Sequence, residues 1–305
     1  MEAMPLDSSP RRLGHSGISV FPIAYGCWRF AGTNVSEARR KIDAALDAGF
    51  TLFDHADIYG GDGAAETLFG QALAEARALR ERMNISTKCG IIVCVPYDSS
   101  AAHIQAACEA SLRRLRIDVI DLYQIHRPDL LAHPEEIAGA LARLRAVGKI
   151  REVGVSNYTV AQTRAIQSFL PFPLATTQPE VSAWWLEAFR DGTFDHAMSE
   201  RLTPLAWSPL AGGKLGMAAD EAKTETNGSR LAVLIETLDR IAVRDGVPRS
   251  AVALAFLLVH PSRMIPIVGT QRVERIQEAL QAFRVRLTRR DWYAVFAASQ
   301  GKPMP

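Results

Sequence analysis

Short apolar runs alternate with longer amphipathic segments along this chain, and the alternation restricts the possible folds more than any other feature. Such runs are typical of buried parallel strands, and the segments between them are typical of connecting helices. The eight runs are Pro22–Gly26, Phe50–Asp54, Met83–Lys88, Val119–Ile125, Glu152–Ser156, Thr176–Val181, Pro204–Trp207 and Met264–Val268. Eight strand–helix units favour an α/β fold closed into a (β/α)8 TIM barrel over an open doubly wound sheet.

The helical segments carry their own start and stop signals. After the first strand, Ser36 has the side chain of a capping residue and Gly49 is a typical helix terminator. Further helices are predicted at Ala64–Leu79, Ser100–Leu115, Pro134–Val147, Thr159–Phe169, Arg230–Asp245, Arg249–His260, Val273–Ala282 and Arg289–Ala298, with a weaker pattern at Asp195–Glu200.

Two further observations bear on the architecture. A dinucleotide-binding open sheet should carry a GxGxxG motif after its first strand, and the segment Ala24–Gly32 does not match it. The segment Arg11–Phe21 alternates weakly before the first strand, which predicts a β-hairpin outside the barrel. Because no Pro/Gly/Ser-rich linker divides the chain, residues 1–305 are predicted to form a single barrel domain.

The charge balance and the cysteine pattern limit the partners and the cellular compartment that we expect for this chain. The 305 residues include 35 Lys and Arg against 33 Asp and Glu, so the net charge of +2 gives no reason to expect a nucleic-acid partner. No apolar run is long enough for a membrane helix, and Met1–Gly17 contains no signal-peptide stretch. The four cysteines form no CxxC pair, which favours reduced thiols in a cytoplasmic protein. The sequence leaves the oligomeric state open.

Polar residues with complementary chemistry follow three successive predicted strands. Asp54, Lys88 and His126 stand at strand ends, and Tyr59 comes five residues after Asp54. Catalytic groups of such barrels cluster at these ends. A neighbouring ammonium favours the phenolate and makes a tyrosine a better proton donor, while a carboxylate keeps the ammonium charged and oriented. With no strong nucleophile and no metal-ligand cluster, the set suits protonation of an oxygen as hydride arrives at the adjoining carbon.

Six stretches of sequence resemble the aldo-keto reductase family. They read FDHADIYG, STKCG, IDLYQIHRPD, KIREVGVSN, LAWSPLAGGKL and PIVGTQRVERIQEA, and they occur in the family's order between Leu13 and Ala282. The stretch GTFDHAM…LTPLAWSPLAGGKL and the short C-terminal tail resemble a bacterial oxidoreductase subgroup in particular.

The resemblance implies an NADPH-dependent reductase that converts aldehyde or ketone carbonyls of small molecules to alcohols. It implies a catalytic tetrad of Asp54, Tyr59, Lys88 and His126. In that tetrad Tyr59 is the general acid of reduction, Lys88 held by Asp54 lowers the Tyr59 pKa, and His126 helps bind the carbonyl oxygen.

The resemblance also implies a set of cofactor residues at the later strand ends. Those for the nicotinamide are Ser156, Asn157, Gln178 and Trp207, those for the pyrophosphate are Ser208, Leu210, Gly212 and Lys214, and those for the adenosine are Gly269, Thr270, Gln271, Arg275 and Glu278. An arginine at position 275 suits the 2′-phosphate of NADPH. Ala279 and Gly269 depart from the family, where an asparagine and, in some members, a phosphate-binding lysine occur, so NADH stays a weaker alternative.

The substrate pocket and the reaction class leave alternatives open. Aromatic residues after the first and sixth strands predict a pocket wall from Trp28 and from Trp184 or Trp185, although packing beneath loops would also explain them. A redox-sensing regulatory subunit that binds cofactor with little turnover is the alternative function. A metal-dependent hydrolase would need more His and carboxylate residues at strand ends than Asp54 and His126.

Overall fold

Eight parallel strands close into a barrel, as predicted from the eight apolar runs. The computed structural model describes residues 2–304. The barrel strands are β3 (Ala24–Gly26), β4 (Leu52–Asp54), β5 (Asn84–Cys89), β6 (Ile120–Ile125), β7 (Ile150–Ser156), β8 (Thr176–Gln178), β9 (Thr203–Ala206) and β10 (Ile265–Val268). Two short strands, β1 (Arg11–Arg12) and β2 (Ser19–Val20), precede them and form a separate sheet. Strands β3 to β9 pair in chain order, and β10 pairs with both β9 and β3. The predicted (β/α)8 fold is therefore confirmed.

Helices follow the strands and cover the outside of the barrel. They are α1 (Val35–Asp47), α2 (Ala64–Glu75), α3 (Ala101–Leu115), α4 (Pro134–Ala146), α5 (Val160–Gln167), α6 (Thr193–Ser199), α7 (Ala219–Ala222), α8 (Gly228–Asp245), α9 (Arg249–Leu258), α10 (Val273–Glu278) and α11 (Arg289–Gln300). Tighter 3-10 turns occupy Arg77–Arg82, Glu187–Phe189, Ala211–Gly216 and Ala279–Arg284. The weak helical pattern predicted at Asp195–Glu200 corresponds to α6, which follows β8.

Some predicted helix ends are wrong by up to about one turn. The capping residue of α1 is Asn34, whose side chain accepts from the Glu37 N–H at 2.9 Å, and Ser36 lies inside the helix. Asparagine caps helices as well as serine does, and the extended backbone at Asn34 decides between them. Helices α2 and α10 end early because their predicted last turns, near Leu79 and Ala282, tighten into 3-10 geometry.

The predicted hairpin is present outside the barrel. Strands β1 and β2 pair antiparallel, and Leu13, Ile18 and Val20 pack with residues from the barrel interior such as Leu52 and Ile265. Leu52 and Ile265 begin their strands, so the hairpin covers the end of the barrel where the strands start. The other end, where the strands finish, carries the loops that hold the predicted site.

The hairpin turn fits the barrel so closely that one position requires glycine. Gly14 has a left-handed φ of 54°, and a Cβ there would lie 2.6 Å from the Ala175 carbonyl oxygen. Its N–H donates to Thr203 Oγ1 at 2.9 Å, and the same hydroxyl donates to the Arg12 carbonyl at 2.9 Å. These contacts hold the hairpin against β8 and β9.

Within residues 2–304, no helix is both long and apolar enough to cross a membrane.

Candidate active site

The four predicted catalytic residues meet at the end of the barrel where the strands finish. Asp54 is the last residue of β4, Lys88 is the second-last of β5, and His126 directly follows β6. Tyr59 lies in the turn between β4 and α2. Asp54 and Lys88 are buried, and neighbouring strands present them to the same interior because β4 and β5 pair in register, with Asp54 opposite Ser86.

Lys88 is fully buried and has three oxygen partners. Its Nζ donates to Asp54 Oδ2 at 2.8 Å, to the His55 carbonyl at 2.7 Å and to the Tyr59 hydroxyl at 3.3 Å. A buried ammonium is costly unless each of its N–H groups finds an acceptor. The three partners satisfy all three donors, so Lys88 is fixed with its charge directed at the Tyr59 oxygen.

Burial and charge act in opposite directions on this pair. Burial works against the charged form of Lys88, but the Asp54 carboxylate and the Tyr59 oxygen raise its pKa above the ordinary value. Burial raises the pKa of Tyr59 above 10, and the Lys88 ammonium lowers it by a smaller amount. The sequence led us to expect a lowered Tyr59 pKa; in the protein alone the net direction is upward. Tyr59 therefore carries its proton at neutral pH.

His126 completes the group as a neutral imidazole. Its ring centroid is 5.9 Å from that of Tyr59, and the two rings are nearly perpendicular. Burial, with help from the charges of Lys88 and Arg127, lowers the pKa of His126 to about 2. Its buried Nδ1 has no hydrogen-bond partner among residues 2–304. A neutral imidazole beside a protonated phenol can donate a hydrogen bond without adding charge.

A polar layer that sequence reasoning missed lies directly beneath the tetrad. Ser86 Oγ donates to Asp54 Oδ1 at 3.3 Å and accepts from Gln124 Nε2 at 3.0 Å, and Thr176 Oγ1 donates to Gln124 Oε1 at 3.2 Å. Alternation along the strands could have predicted it. Ser86 lies two residues before Lys88, and Gln124 two before His126, so each shares the inward face of its strand with a tetrad residue.

The predicted nicotinamide residues form one hydrogen-bonded group at the ends of β7 to β9. Asn157 Nδ2 donates to Ser156 Oγ at 2.8 Å and to the His126 carbonyl at 3.2 Å, while Asn157 Oδ1 accepts from the Trp207 indole at 2.9 Å. Gln178 Nε2 donates to Asp54 Oδ1 at 3.0 Å. The structure thus brings this set into contact with the tetrad and holds the Trp207 ring in a fixed plane.

The predicted pyrophosphate loop has an unusual backbone. Ser208 and Ala211 adopt left-handed φ angles of 56° and 53°, and Gly212 follows with 66°. Left-handed geometry at residues other than glycine is concentrated at functional sites. The Gly212 N–H donates to Ser208 Oγ at 3.0 Å, and the side chain of Leu210 packs against the neighbouring core. Lys214 pairs with the Glu225 carboxylate, so its charge is already partnered inside the protein.

The predicted adenosine residues lie in the turn after β10 and in α10. The Tyr25 hydroxyl donates to the Thr270 carbonyl at 2.9 Å, and Gln271 Nε2 lies 3.5 Å from the Gly269 carbonyl. Arg275 is exposed and Glu278 is partly buried. Gln271 Oε1 also accepts from Lys41 at 2.8 Å, a residue that sequence reasoning missed. A lysine far from the loop in sequence gives no local signal.

The predicted pocket tryptophans do not line one common cavity. Trp28 follows β3 and is 61% exposed, with the Arg29 guanidinium 5.1 Å from its ring. Trp184 and Trp185 line a separate cavity of about 180 Å³ together with Arg230, and none of the tetrad residues lines it. The geometry therefore connects neither of these two residues to the tetrad.

Metal-ligating side chains and cysteine thiols are the other groups of the chain that can carry out chemistry. Residues 2–304 contain no group of three or more His, Cys, Asp or Glu that could hold a metal ion. Cys27, Cys89 and Cys108 are buried free thiols, and Cys94 is an exposed one. Burial raises the pKa of Cys89 well above its ordinary value, which leaves it as an unreactive thiol.

Comparison with known proteins agrees with this geometry. Residues 22–299 match the model of the Aldo/keto reductase family. The chain belongs to the aldo/keto reductase family. It is similar to a 6-dehydroglucose reductase of Novosphingobium aromaticivorans (47% identical, 100% of both chains) and to one of Agrobacterium fabrum (39% identical, 92% of this chain and 94% of the relative).

A solved aldo/keto reductase has the same architecture. The glycerol dehydrogenase AKR11B4 from Gluconobacter oxydans is 27% identical, with a TM-score of 0.85 over 98% of this chain and 97% of its own. The family consists of oxidoreductases that use NAD(P)H, and it acts on small-molecule carbonyl compounds. A planar indole held at a strand end, buried amide and hydroxyl groups beside it and a left-handed turn fit such a nucleotide.

Proposed function

We propose that this protein reduces aldehyde or ketone carbonyls to alcohols with NADPH, and that Tyr59 is the general acid. One observation carries the proposal. The buried Lys88 ammonium links the Asp54 carboxylate, at 2.8 Å, to the Tyr59 hydroxyl, at 3.3 Å, beside a neutral His126. This arrangement stores one proton on a phenol and surrounds it with groups that stabilise the phenolate formed when that proton leaves.

Each side chain then has a distinct task. NADPH supplies the hydride when it is bound. Tyr59 gives its hydroxyl proton to the carbonyl oxygen of the substrate, and the adjacent ammonium of Lys88 stabilises the phenolate that remains. Asp54 holds that ammonium in place. His126, neutral at physiological pH, donates a hydrogen bond to the carbonyl oxygen and so polarises the carbonyl group.

The nucleotide is proposed to lie along the ends of β7 to β10. Ser156, Asn157 and Gln178 would bind the carboxamide, and the Trp207 ring would stack on the nicotinamide. The loop of Ser208, Leu210, Gly212 and Lys214 would hold the pyrophosphate. Gly269, Thr270, Gln271, Arg275 and Glu278 would hold the adenosine. The exposed guanidinium of Arg275 supports NADPH over NADH, because an arginine fork pairs well with a phosphate.

For the substrate we propose an aldehyde that carries several hydroxyl groups. Two relatives similar over most of their length are named 6-dehydroglucose reductases. Two charged residues near Trp207 also have side chains that can hydrogen-bond hydroxyl groups. The Arg127 guanidinium lies 5.7 Å from the centre of the Trp207 ring, and Glu180 forms a β-bridge with Trp207. Trp28, exposed after β3, is the proposed apolar wall.

An assay of NADPH oxidation against hydroxylated aldehydes, simple aldehydes, ketones and quinones tests the proposal. We expect the hydroxylated aldehydes, with 6-dehydroglucose as the first member, to give the highest kcat/KM. Tyr59→Phe should lower kcat by about 10²-fold or more, since general acid catalysis contributes about that much. Its NADPH Kd, followed by tryptophan fluorescence, should change by less than about twofold because the ring is retained.

Two outcomes would contradict the assignment. Turnover by Tyr59→Phe that is comparable to the unchanged enzyme would exclude Tyr59 as the acid. Tight NADPH binding with no oxidation by any member of the panel would favour the redox-sensing regulatory subunit instead.

A further inference from the structure

Lys41 is a buried lysine outside the tetrad that forms no ion pair with an acidic side chain among residues 2–304. It lies in the middle of α1 and is 6% exposed. Its Nζ donates to the neutral Gln271 Oε1 at 2.8 Å and lies 5.6 Å from the centre of the Phe30 ring. None of the ion pairs among the described residues, 2–304, includes Lys41.

A buried ammonium whose hydrogen-bond partner is a neutral amide lowers the stability of the protein when no ligand is bound. Lysines are seldom buried unless they are paired, because an ammonium loses its hydration on burial. The carboxylate of Glu37, one helical turn earlier, is engaged by the Thr33 hydroxyl and forms no ion pair with Lys41. Burial lowers the pKa of Lys41, with Glu37 opposing the effect. A nearby anion would offset the cost of burying the Lys41 ammonium.

The surroundings of Lys41 indicate where such an anion would bind. Its partner Gln271 lies between β10 and α10, and Arg275 follows one helical turn later. Helices α1 and α10 are in contact, and Gln277 Nε2 donates to the Ala44 carbonyl at 3.3 Å. Arg275 is exposed and takes part in no ion pair within the described residues. The Lys41 ammonium thus contacts Gln271 directly, and Arg275 follows Gln271 by one helical turn on α10, the helix that packs against α1.

We propose that Lys41 and Arg275 bind a phosphomonoester, the 2′-phosphate of the nucleotide, and that Lys41 determines the preference for NADPH over NADH. This inference rests on the proposed function. A phosphomonoester carries close to two negative charges, which matches one buried ammonium and one exposed guanidinium. Position 269 is a glycine and offers no charge to the phosphate, so α1 supplies the cation from a different element of the fold.

Binding measurements on three variants test the proposal without relying on turnover. The Kd values of NADPH and NADH are measured by tryptophan fluorescence for the unchanged protein, Lys41→Met, Lys41→Arg and Lys149→Met. Lys41→Met should raise the NADPH Kd by about tenfold or more, as expected for loss of a charge-assisted hydrogen bond, and change the NADH Kd by less than about twofold. Lys41→Arg should keep most of the NADPH preference. Lys149, which precedes β7 and pairs with Glu109, is the control and should change neither Kd.

A second measurement separates nucleotide phosphate from free phosphate. Displacement of NADPH is measured with 2′,5′-ADP, 5′-AMP and inorganic phosphate. We expect 2′,5′-ADP to displace NADPH at a concentration at least about tenfold below that of 5′-AMP, and Lys41→Met to abolish most of this difference. Inorganic phosphate that displaces NADPH as well as 2′,5′-ADP does would overturn the assignment to the nucleotide.

The possible failures can be distinguished. An unchanged protein that binds NADH as tightly as NADPH would overturn the cofactor preference in the proposed function and this inference with it. An unchanged protein that prefers NADPH, together with Lys41→Met retaining that preference, would overturn the role of Lys41 alone. Equal weakening of both nucleotides in Lys41→Met would also overturn it, since a purely structural support of Gln271 would act on both. The thermal unfolding midpoint of each nucleotide-free variant verifies that it is folded.

Discussion

Gln178 donates a hydrogen bond from Nε2 to Asp54 Oδ1 over 3.0 Å, while Asp54 Oδ2 accepts from Lys88 at 2.8 Å. One buried carboxylate thus joins a residue at the end of β8 to the ammonium that faces Tyr59. Within residues 2–304, Gln178 Oε1 accepts no hydrogen bond. Under the proposed function, the same amide would accept from the bound carboxamide while it holds Asp54, and nucleotide binding would then be coupled to the position of Lys88.

Replacing Gln178 by leucine tests this coupling. Gln178→Leu should raise the Kd of NADPH and of NADH by a similar factor of about ten, because a buried hydrogen bond is lost for both. It should also lower kcat, since Asp54 loses a donor. Titration by tryptophan fluorescence and steady-state kinetics measure the two effects. Gln124→Leu is the matched control, because it removes a buried amide from β6 that contacts Ser86 and Thr176. Equal losses in both variants would indicate general destabilisation.

Lys88→Met should change both activity and its pH dependence. The ammonium lowers the pKa of Tyr59 against the larger effect of burial, so its removal raises that pKa further. Under the proposed function reduction needs protonated Tyr59, so the decline of kcat/KM at high pH should move to higher pH. The value at the optimum should fall by about 10²-fold or more. A decline at unchanged pH would show that another group controls it.

The same variant leaves the Asp54 carboxylate buried without its cation. Breaking a buried pair in this way costs about 3–5 kcal/mol of unfolding free energy. The double variant Asp54→Asn/Lys88→Met should recover most of that free energy in urea denaturation but none of the activity. Recovery of activity together with stability would mean that the pair acts only through the fold.

The barrel could be predicted from the sequence because each strand is a local apolar run with its own bounding turns. All eight runs became strands, and the hairpin was also predicted correctly. Helix ends were less reliable. Asn34 and Ser36 are equally good capping residues, and only the backbone conformation, set by tertiary contacts, selects Asn34. The 3-10 turn at Ala211–Gly216 was missed because Gly212 and Gly213 interrupt any helical period. Helix α7 was missed because its 4 residues are too few to show a helical period.

His55 should make the protein sensitive to acid. It is fully buried against Phe69, and neither ring nitrogen has a hydrogen-bond partner among residues 2–304. Burial, with the charge of Lys88, lowers its pKa to about 3. Above pH 6.5 the folded and unfolded forms are both neutral, so no stability is lost. As the pH falls below 6.5, only the unfolded form takes up the proton, and unfolding becomes easier by about 1.4 kcal/mol per pH unit.

His55→Leu removes this one contribution. Between pH 7.5 and pH 5 the unfolding free energy of the unchanged protein should fall by about 2 kcal/mol more than that of His55→Leu. Urea denaturation at the two pH values measures it. His126 and His260, whose pKa values burial lowers to about 2 and about 4, remain in both proteins and cancel in the comparison. Parallel losses in the two proteins would contradict the assignment to His55.

Glu225→Gln should strengthen nucleotide binding. Glu225 pairs with Lys214, which the proposed function assigns to the pyrophosphate. Both side chains are partly exposed, so their pairing contributes at most about 1 kcal/mol, and releasing Lys214 should lower the NADPH Kd by up to about fivefold. The effect should shrink at high salt as the charges are screened. Lys214→Met is the companion variant and should raise the Kd. An unchanged Kd in both variants would remove Lys214 from the proposed site.

Part of the candidate site could be predicted from the sequence and part of it could not. The tetrad was predicted because strand ends of a barrel converge, and the structure brings Asp54, Tyr59, Lys88 and His126 together. Lys41 was not predicted, because only the contact of α1 with α10 carries it to Gln271. The direction of the Tyr59 pKa was also not predictable, since it depends on how deeply the phenol is buried.

The hairpin of β1 and β2 restricts the route by which small molecules reach the tetrad. It closes the end of the barrel where the strands begin, with Leu13, Ile18 and Val20 packed into the interior. Any small molecule that reaches Lys88 must therefore arrive and depart by the opposite opening. Under the proposed function the nucleotide and the carbonyl compound would share that opening, and the one bound deeper would enter first and leave last.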